Sequence, residues 1–136
     1  LGANLAINPS EEDPVAAVRA ATDGLGADVL LEMAGHPSAI RQGLKSLRKA
    51  GFAALLGIPS GPVELELAED VIFRSLTLVG INGRRMFDTW YKARTLLKSG
   101  LDITPVITHR LSLWEQFDEG MELMKAGKCG KVILLP

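Results

Sequence analysis

Apolar residues along the chain fall into short runs closed by glycine and proline. "ADVLLEMAG" (27–35), "AALLGIPSG" (53–61) and "SLTLVGING" (75–83) share one shape: a continuous apolar run that ends on small residues. Such runs predict strands covered on both faces. "LAIN" (5–8) predicts a shorter strand, "FAALLGI" extends the second run back to residue 52, and "KVILL" (131–135) predicts a last strand. Helical signals lie between them. Asp13 before Pro14 reads as an N-cap with proline at the first helical position, and "VAAVRAAT" carries that helix toward Gly24 and Gly26. Pro37 opens a second helix: Ile40, Leu44 and Leu47 fall at helical spacing, Arg41, Lys45 and Arg48 face outward, and Gly51 ends it.

Further along, "PVELEL" alternates apolar and acidic residues, which predicts an extended segment with one wet face. A short helix is expected around "AEDVIF" and a longer one over 86–99, stopped by Gly100. "DITPVITHRL" reads as extended. Ser112 and Glu115 have capping-box spacing for a helix that carries Phe117, Met121 and Met124 to Gly127.

Strand, helix, strand, helix, strand predicts an α/β fold with a parallel, doubly wound sheet. Ligands of such sheets bind outside the carboxyl ends of the strands. Gly35, Gly57 and Gly80 are then expected along one edge, where missing side chains let a flat ligand approach the backbone. A tight turn explains any one of these glycines; three together favour a binding edge.

Composition narrows the function. The chain has 136 residues, 47% hydrophobic, enough for a core of its own, and a formal net charge of −1. That balance attracts neither nucleic acid nor an anionic membrane surface. No apolar run approaches the roughly 20 residues that span a bilayer. The lone Cys129 has no internal disulfide partner, and together with the lack of a signal-peptide pattern this predicts a cytoplasmic, reducing setting. The start at Leu1, without methionine, reads as a piece of a longer protein.

Several chemical signals fail on spacing. "GLGADV" (24–29) has Gly-x-Gly but lacks the third glycine and precedes a strand. "GKCGKV" lacks the phosphate-loop spacing and a following helix. His36, His109 and Cys129 lie far apart without metal-ligand spacing. His36, just after a strand end, is a ligand contact or, more simply, a solvated loop histidine. His109 reads as a hydrogen-bonded structural histidine. Cys129 lies near Lys125, Lys128 and Lys131, which favour the thiolate, yet a surface thiol without a role is the simpler reading. Ser46-x-x-Lys49 reads as a solvated helix face. Arg84 and Arg85 reach an anion or another subunit, or line a solvated turn. Lys131 opens the last strand among small residues, as a phosphate contact or a plain structural lysine.

The blocks "EMAG", "LLGIPSG", "GINGRRMFDTWYKARTLLKSGLDITPVITHRLSL" and "GKCGKVIL" closely resemble the carboxy-terminal part of the L-threonine 3-dehydrogenases, a branch of the zinc-containing medium-chain alcohol dehydrogenase family. The likeness covers essentially the whole chain, and residues 80–111 are its specific part. It implies oxidation of the 3-hydroxyl of L-threonine to 2-amino-3-oxobutanoate, with a zinc ion polarising the alcohol and NAD taking the hydride. It implies that Leu56, Gly57, Ile58, Ile81 and Asn82 line the nicotinamide end of NAD, that Ala34 and His36 lie near the adenine, and that Lys131 faces the pyrophosphate. There, lysine keeps the charge of the family's frequent arginine without its bidentate fork.

The resemblance also implies a division at residue 83. Residues 1–83 would be the carboxy-terminal part of the NAD-binding Rossmann domain, and 84–136 the helices and strand returning to the catalytic domain. With the strand order 3-2-1-4-5-6, "LAIN", "ADVLLEM", "FAALLGI" and "LTLVGI" would be strands 3, 4, 5 and 6. The zinc ligands, the Gly-x-Gly-x-x-Gly turn and the ribose-binding acid are not in this sequence, so the chain alone is expected to be inactive. A homotetramer built from dimers is implied, each dimer joined by pairing "LTLVGI" with its twin. The alternatives are another medium-chain polyol or secondary-alcohol dehydrogenase, or a non-catalytic nucleotide-binding or assembly module.

Overall fold

A computed structural model describes residues 2–136 of the chain. Two compact units divide between Arg84 and Arg85. The first, Asn4–Arg84, is a parallel three-stranded sheet with two helices. Asp13 accepts a hydrogen bond from the Val15 N–H at 2.9 Å and opens α1 (Pro14–Ala20). Strand β1 (Ala27–Glu32) follows, then α2 (Pro37–Ser46), β2 (Leu47–Leu55), a short π-helical turn (Ala68–Ile72) and β3 (Thr77–Gly80). The strands lie side by side in the order β1-β2-β3, as expected for strands 4, 5 and 6 of a doubly wound sheet.

The core sits where α2 packs on this sheet. Ile40 and Leu44, one helical turn apart, are buried with Leu47 and Ala53. Leu30, Leu55, Val63, Leu65, Leu76 and Leu78 close around them. Arg74 ties the layers together: its guanidinium donates to the main-chain carbonyls of Leu44 (2.9 Å), Lys45 (3.4 Å) and Leu47, at the carboxyl end of α2. Carbonyls in the last turn of a helix lack the usual i+4 partner, and although Leu44 O also accepts from the Leu47 N–H, a cation with several donors is well placed there.

Some expected elements differ. "LAIN" is not a strand: residues 5–8 are irregular, and Leu5 is 54% exposed. A strand persists only where a neighbour completes its ladder, and the described residues offer these four none. The run "ADVLLEM" is covered on one face only, with Val29 and Leu31 more than half exposed and Leu30 half-buried. Helix α2 stops at Ser46, five residues before Gly51, and β2 begins at once with Leu47, its first half carrying a bulge. There Arg48–Gly51 oppose the single residue Asp28, with Ala50 at φ 56 and Arg48 paired to Asp28 at 2.5 Å. Lys49 is therefore off the helix, which removes the Ser46-x-x-Lys49 pattern. Strand β2 ends at Leu55 rather than Ile58. "PVELEL" keeps its alternation, with Val63 and Leu65 half-buried and Glu64 and Glu66 exposed, yet joins no sheet.

In the second unit, helix α3 (Asp88–Lys98) ends at Gly100, whose φ is 103°. Hydrogen bonds from Thr104 hold the Asp102 carboxyl below its ordinary range and start a 3-10 turn (Thr104–Val106). Strands β4 (Ile107–Ser112) and β5 (Lys131–Leu135) pair in parallel, with α4 (Phe117–Lys125) between them in sequence and packed on both. Leu111 and Gly120 are the buried residues at that contact. The capping box is shifted by one residue. Ser112 Oγ accepts from the Glu115 N–H, but Gln116, not Glu115, reaches back to the Ser112 N–H at 3.0 Å. A turn at 113–115 precedes α4 and puts Gln116 in that position.

Candidate functional site

The three strands of the first unit end together. Glu32 pairs with Leu55 and Leu55 with Gly80, so the last residues of β1, β2 and β3 form one row. The ladder carries one step past the row: Leu56 N–H donates to Glu32 O (2.9 Å) and Ile81 N–H to Leu55 O (2.9 Å). Leu56–Ile58 and Ile81–Asn82 thus leave the sheet from fixed starting points. Leu56 and Ile81 are 39% and 44% exposed and Ile58 is 88% exposed, giving an apolar rim beside open backbone.

Gly35 and Gly57 bring two of these exits into direct contact. A Cβ built on Gly35 would fall 2.6 Å from Ile58 O, and one on Gly57 would meet Gly35 N and lie 2.7 Å from Gly35 Cα. Gly35 also has φ 67, the left-handed region where glycine is favoured. The room left by Gly57 is therefore filled by the β1–α2 turn, which corrects the expectation that it opens toward a ligand. Gly80 is different: nothing lies within 4 Å of where its Cβ would be.

Glu32 organises the contact. It is 3% exposed at the end of an apolar strand. Its Oε1 accepts from the N–H groups of Ala34 (3.0 Å) and Gly35 (2.8 Å), and its main-chain oxygen accepts from Leu56 and Gly57. Oε2 is buried without a hydrogen-bond partner. Sequence reasoning passed over Glu32, although a lone acid inside "VLLEM" is the signal that finds it: a buried charge persists only where it is hydrogen-bonded.

The expected site residues distribute as follows. Ala34 is exposed above the Glu32 carboxylate, and His36 is the N-cap of α2, its Nδ1 accepting from the Ser38 N–H at 3.3 Å. Leu56, Gly57, Ile58, Ile81 and Asn82 share the strand-end row. Lys131 is exposed at the start of β5, in the other unit. His109 is half-buried on β4, its Nδ1 2.9 Å from Thr108 Oγ1. Among the described residues no group of three or more His, Cys, Asp or Glu could hold a metal ion, so these residues do not fit a zinc site. No helix of the described residues is long and apolar enough to cross a membrane. Away from the strand ends, Arg74 lies near Arg19 and Asp70; burial first, and then the Arg19 charge, lower its pKa against the opposing pull of Asp70.

Comparison with known proteins decides the family. The profile of the zinc-binding dehydrogenases matches residues 1–99. The chain belongs to this family. An L-threonine 3-dehydrogenase of Symbiobacterium thermophilum is 54% identical over 138 residues, covering 100% of this chain and 39% of the relative. The L-threonine 3-dehydrogenase of Pyrococcus furiosus is 46% identical, covering 99% of the chain and 39% of the relative. Among solved structures, an alcohol dehydrogenase of Thermotoga maritima superposes with a TM-score of 0.81 at 31% identity, over 99% of this chain and 38% of its own. The 2R,3R-butanediol dehydrogenase of Bacillus subtilis gives 0.79 at 28% identity, over 96% and 37%. This zinc-binding dehydrogenase chain thus spans about two-fifths of the length of the relatives it matches, and its parallel-sheet α/β architecture is that of their carboxy-terminal part.

Proposed function

We propose that these residues are the carboxy-terminal part of an NAD-dependent dehydrogenase that oxidises the 3-hydroxyl of L-threonine to 2-amino-3-oxobutanoate. The observation that carries this reading is the 54% identity to an L-threonine 3-dehydrogenase across the entire chain. The row of strand ends supports it physically, since ligands of such sheets lie outside the carboxyl edge.

In this role Leu56–Ile58 and Ile81–Asn82 line the nicotinamide end of NAD. Their backbone groups orient the carboxamide, and the apolar side chains of Leu56, Ile58 and Ile81 exclude water from the reacting face. Ala34 and His36 lie toward the adenine. NAD supplies the hydride acceptor. In this reading the zinc ligands and most of the substrate pocket belong to other parts of the dehydrogenase, where zinc would polarise the alcohol. Residues 1–136 alone neither catalyse nor hold NAD tightly: the helix N-terminal turn that grips pyrophosphate is not among them. Calorimetry of the isolated chain checks this, and micromolar NAD affinity would contradict it.

The enzyme is cytoplasmic and a homotetramer of dimers, with β3, an edge strand here, pairing with its twin. The test of the activity is a substrate panel on the dehydrogenase encoded by the complete gene. L-Threonine is expected to give the highest kcat/KM with NAD. The 28% likeness to a 2R,3R-butanediol dehydrogenase favours one competing reading, a secondary-alcohol or polyol dehydrogenase. A preference for 2,3-butanediol over L-threonine would establish that reading instead.

A further inference from the structure

We propose that Glu32 is a positioning residue for the cofactor edge, its carboxylate fixing the β1–α2 turn that packs against the exit of β2. This inference rests on the NAD-dehydrogenase reading proposed above.

A glutamate buried to 3% exposure in an apolar strand is costly unless its geometry does something no apolar residue can. Here one residue holds two elements, one through its side chain and one through its main chain. Oε1 takes the Ala34 and Gly35 N–H groups at 3.0 and 2.8 Å, fixing the turn. The main-chain oxygen of the same residue takes the Leu56 and Gly57 N–H groups at 2.9 and 3.1 Å, fixing the exit of β2. The two glycines then close against each other and against Ile58. Glu32 and this glycine contact together set the spacing between Ala34–His36 and Leu56–Ile58. Those are the two stretches that carry the adenine and nicotinamide ends in the proposed function.

Only one carboxylate oxygen does this work. Oε2 is buried, without a partner, and 2.5 Å from where a Cβ on Gly57 would fall. The required property is therefore an acceptor at the Oε1 position rather than a negative charge. A glutamine supplies that acceptor with the same reach. An aspartate keeps the charge but retracts the acceptor by one methylene, and an alanine removes it.

The experiment compares Glu32→Gln, Glu32→Asp and Glu32→Ala in the dehydrogenase encoded by the complete gene. Melting temperature, NAD affinity by fluorescence titration, kcat and both Michaelis constants are measured. Expected are wild-type constants for Glu32→Gln. For Glu32→Ala the KM for NAD rises about tenfold, the equivalent of one good hydrogen bond, and kcat falls, since a misplacement near 1 Å costs on the order of 10²-fold in rate, while the KM for L-threonine changes little. Glu32→Asp lies between, and decides the matter if Glu32→Ala does not fold. Glu32→Gln as impaired as Glu32→Ala would overturn the inference, because charge or Oε2 would then be what matters. Equal changes in both Michaelis constants, or a lowered melting point with unchanged constants, would overturn it as well and reduce Glu32 to a packing residue. A wild-type enzyme that does not bind NAD at all would instead bring down the reading on which the inference stands.

Discussion

Gly35 and Gly57 lie back to back, with no room for a side chain between the β1–α2 turn and the exit of β2. A Cβ on Gly57 would sit 2.7 Å from Gly35 Cα and 2.5 Å from Glu32 Oε2. Backbone cannot rotate away from such a contact as a flexible side chain can.

Gly57→Ala is accordingly expected to destabilise the folded protein by roughly 1–3 kcal/mol, the usual cost of forcing extra volume into a packed site. Gly57→Val costs more. Thermal or denaturant unfolding checks the order wild type, alanine, valine. Alanine tolerated without loss of stability would show that the turn can move away.

Gly80 provides the contrast at the other end of the row. Its Cβ direction is open, and its φ is not in the left-handed region. Gly80→Val is expected to leave the melting temperature of the complete enzyme nearly unchanged while raising the KM for NAD. An unchanged KM would place the cofactor elsewhere along the edge.

The sequence made the glycine-ended strands legible because a buried parallel strand and its exit turn both leave local marks: a continuous apolar run, then Gly or Pro. Their register was not legible. That Glu32, Leu55 and Gly80 end in one row depends on ladder pairing between segments more than 20 residues apart. "LAIN" failed for a related reason, since its apolar pattern states a preference that only a neighbouring strand can satisfy. Pro37 marks the start of α2 in the sequence, whereas at its other end the carbonyls of Leu44, Lys45 and Leu47 accept from Arg74, about 30 residues away. Local spacing carries no trace of that bond.

Arg74→Met keeps much of the side-chain length and loses those hydrogen bonds. The expected loss is about 2 kcal/mol, since bonds from a charged donor are worth roughly 1.5–3 kcal/mol. Arg74→Lys recovers only part of it, because an ammonium cannot span three carbonyls as a planar fork does. Chemical denaturation of the three proteins checks the ranking.

The alternation of β3 sharpens a test of assembly. Ile81 N–H points to β2, so Val79, two residues back, faces β2 as well, and Leu78 directs its N–H to the open edge. In the complete enzyme Leu78→Pro is expected to break the β3–β3 pairing and reduce the oligomer, keeping the ladder to β2 but lowering the melting temperature because Leu78 also packs on the core. Val79→Pro removes an internal ladder donor and destabilises the sheet itself. A folded Leu78→Pro protein that keeps the wild-type oligomer in size-exclusion chromatography with light scattering would refute pairing through this strand.

Every role proposed for Leu56–Ile58 and Ile81–Asn82 requires NAD to lie along the strand-end row. Amide hydrogen exchange of the complete dehydrogenase, with and without NAD, tests it most directly. Slower exchange across residues 56–58 and 81–82 on adding NAD, with α1 unchanged, is the predicted result. Unchanged exchange at both stretches under saturating NAD would contradict the account.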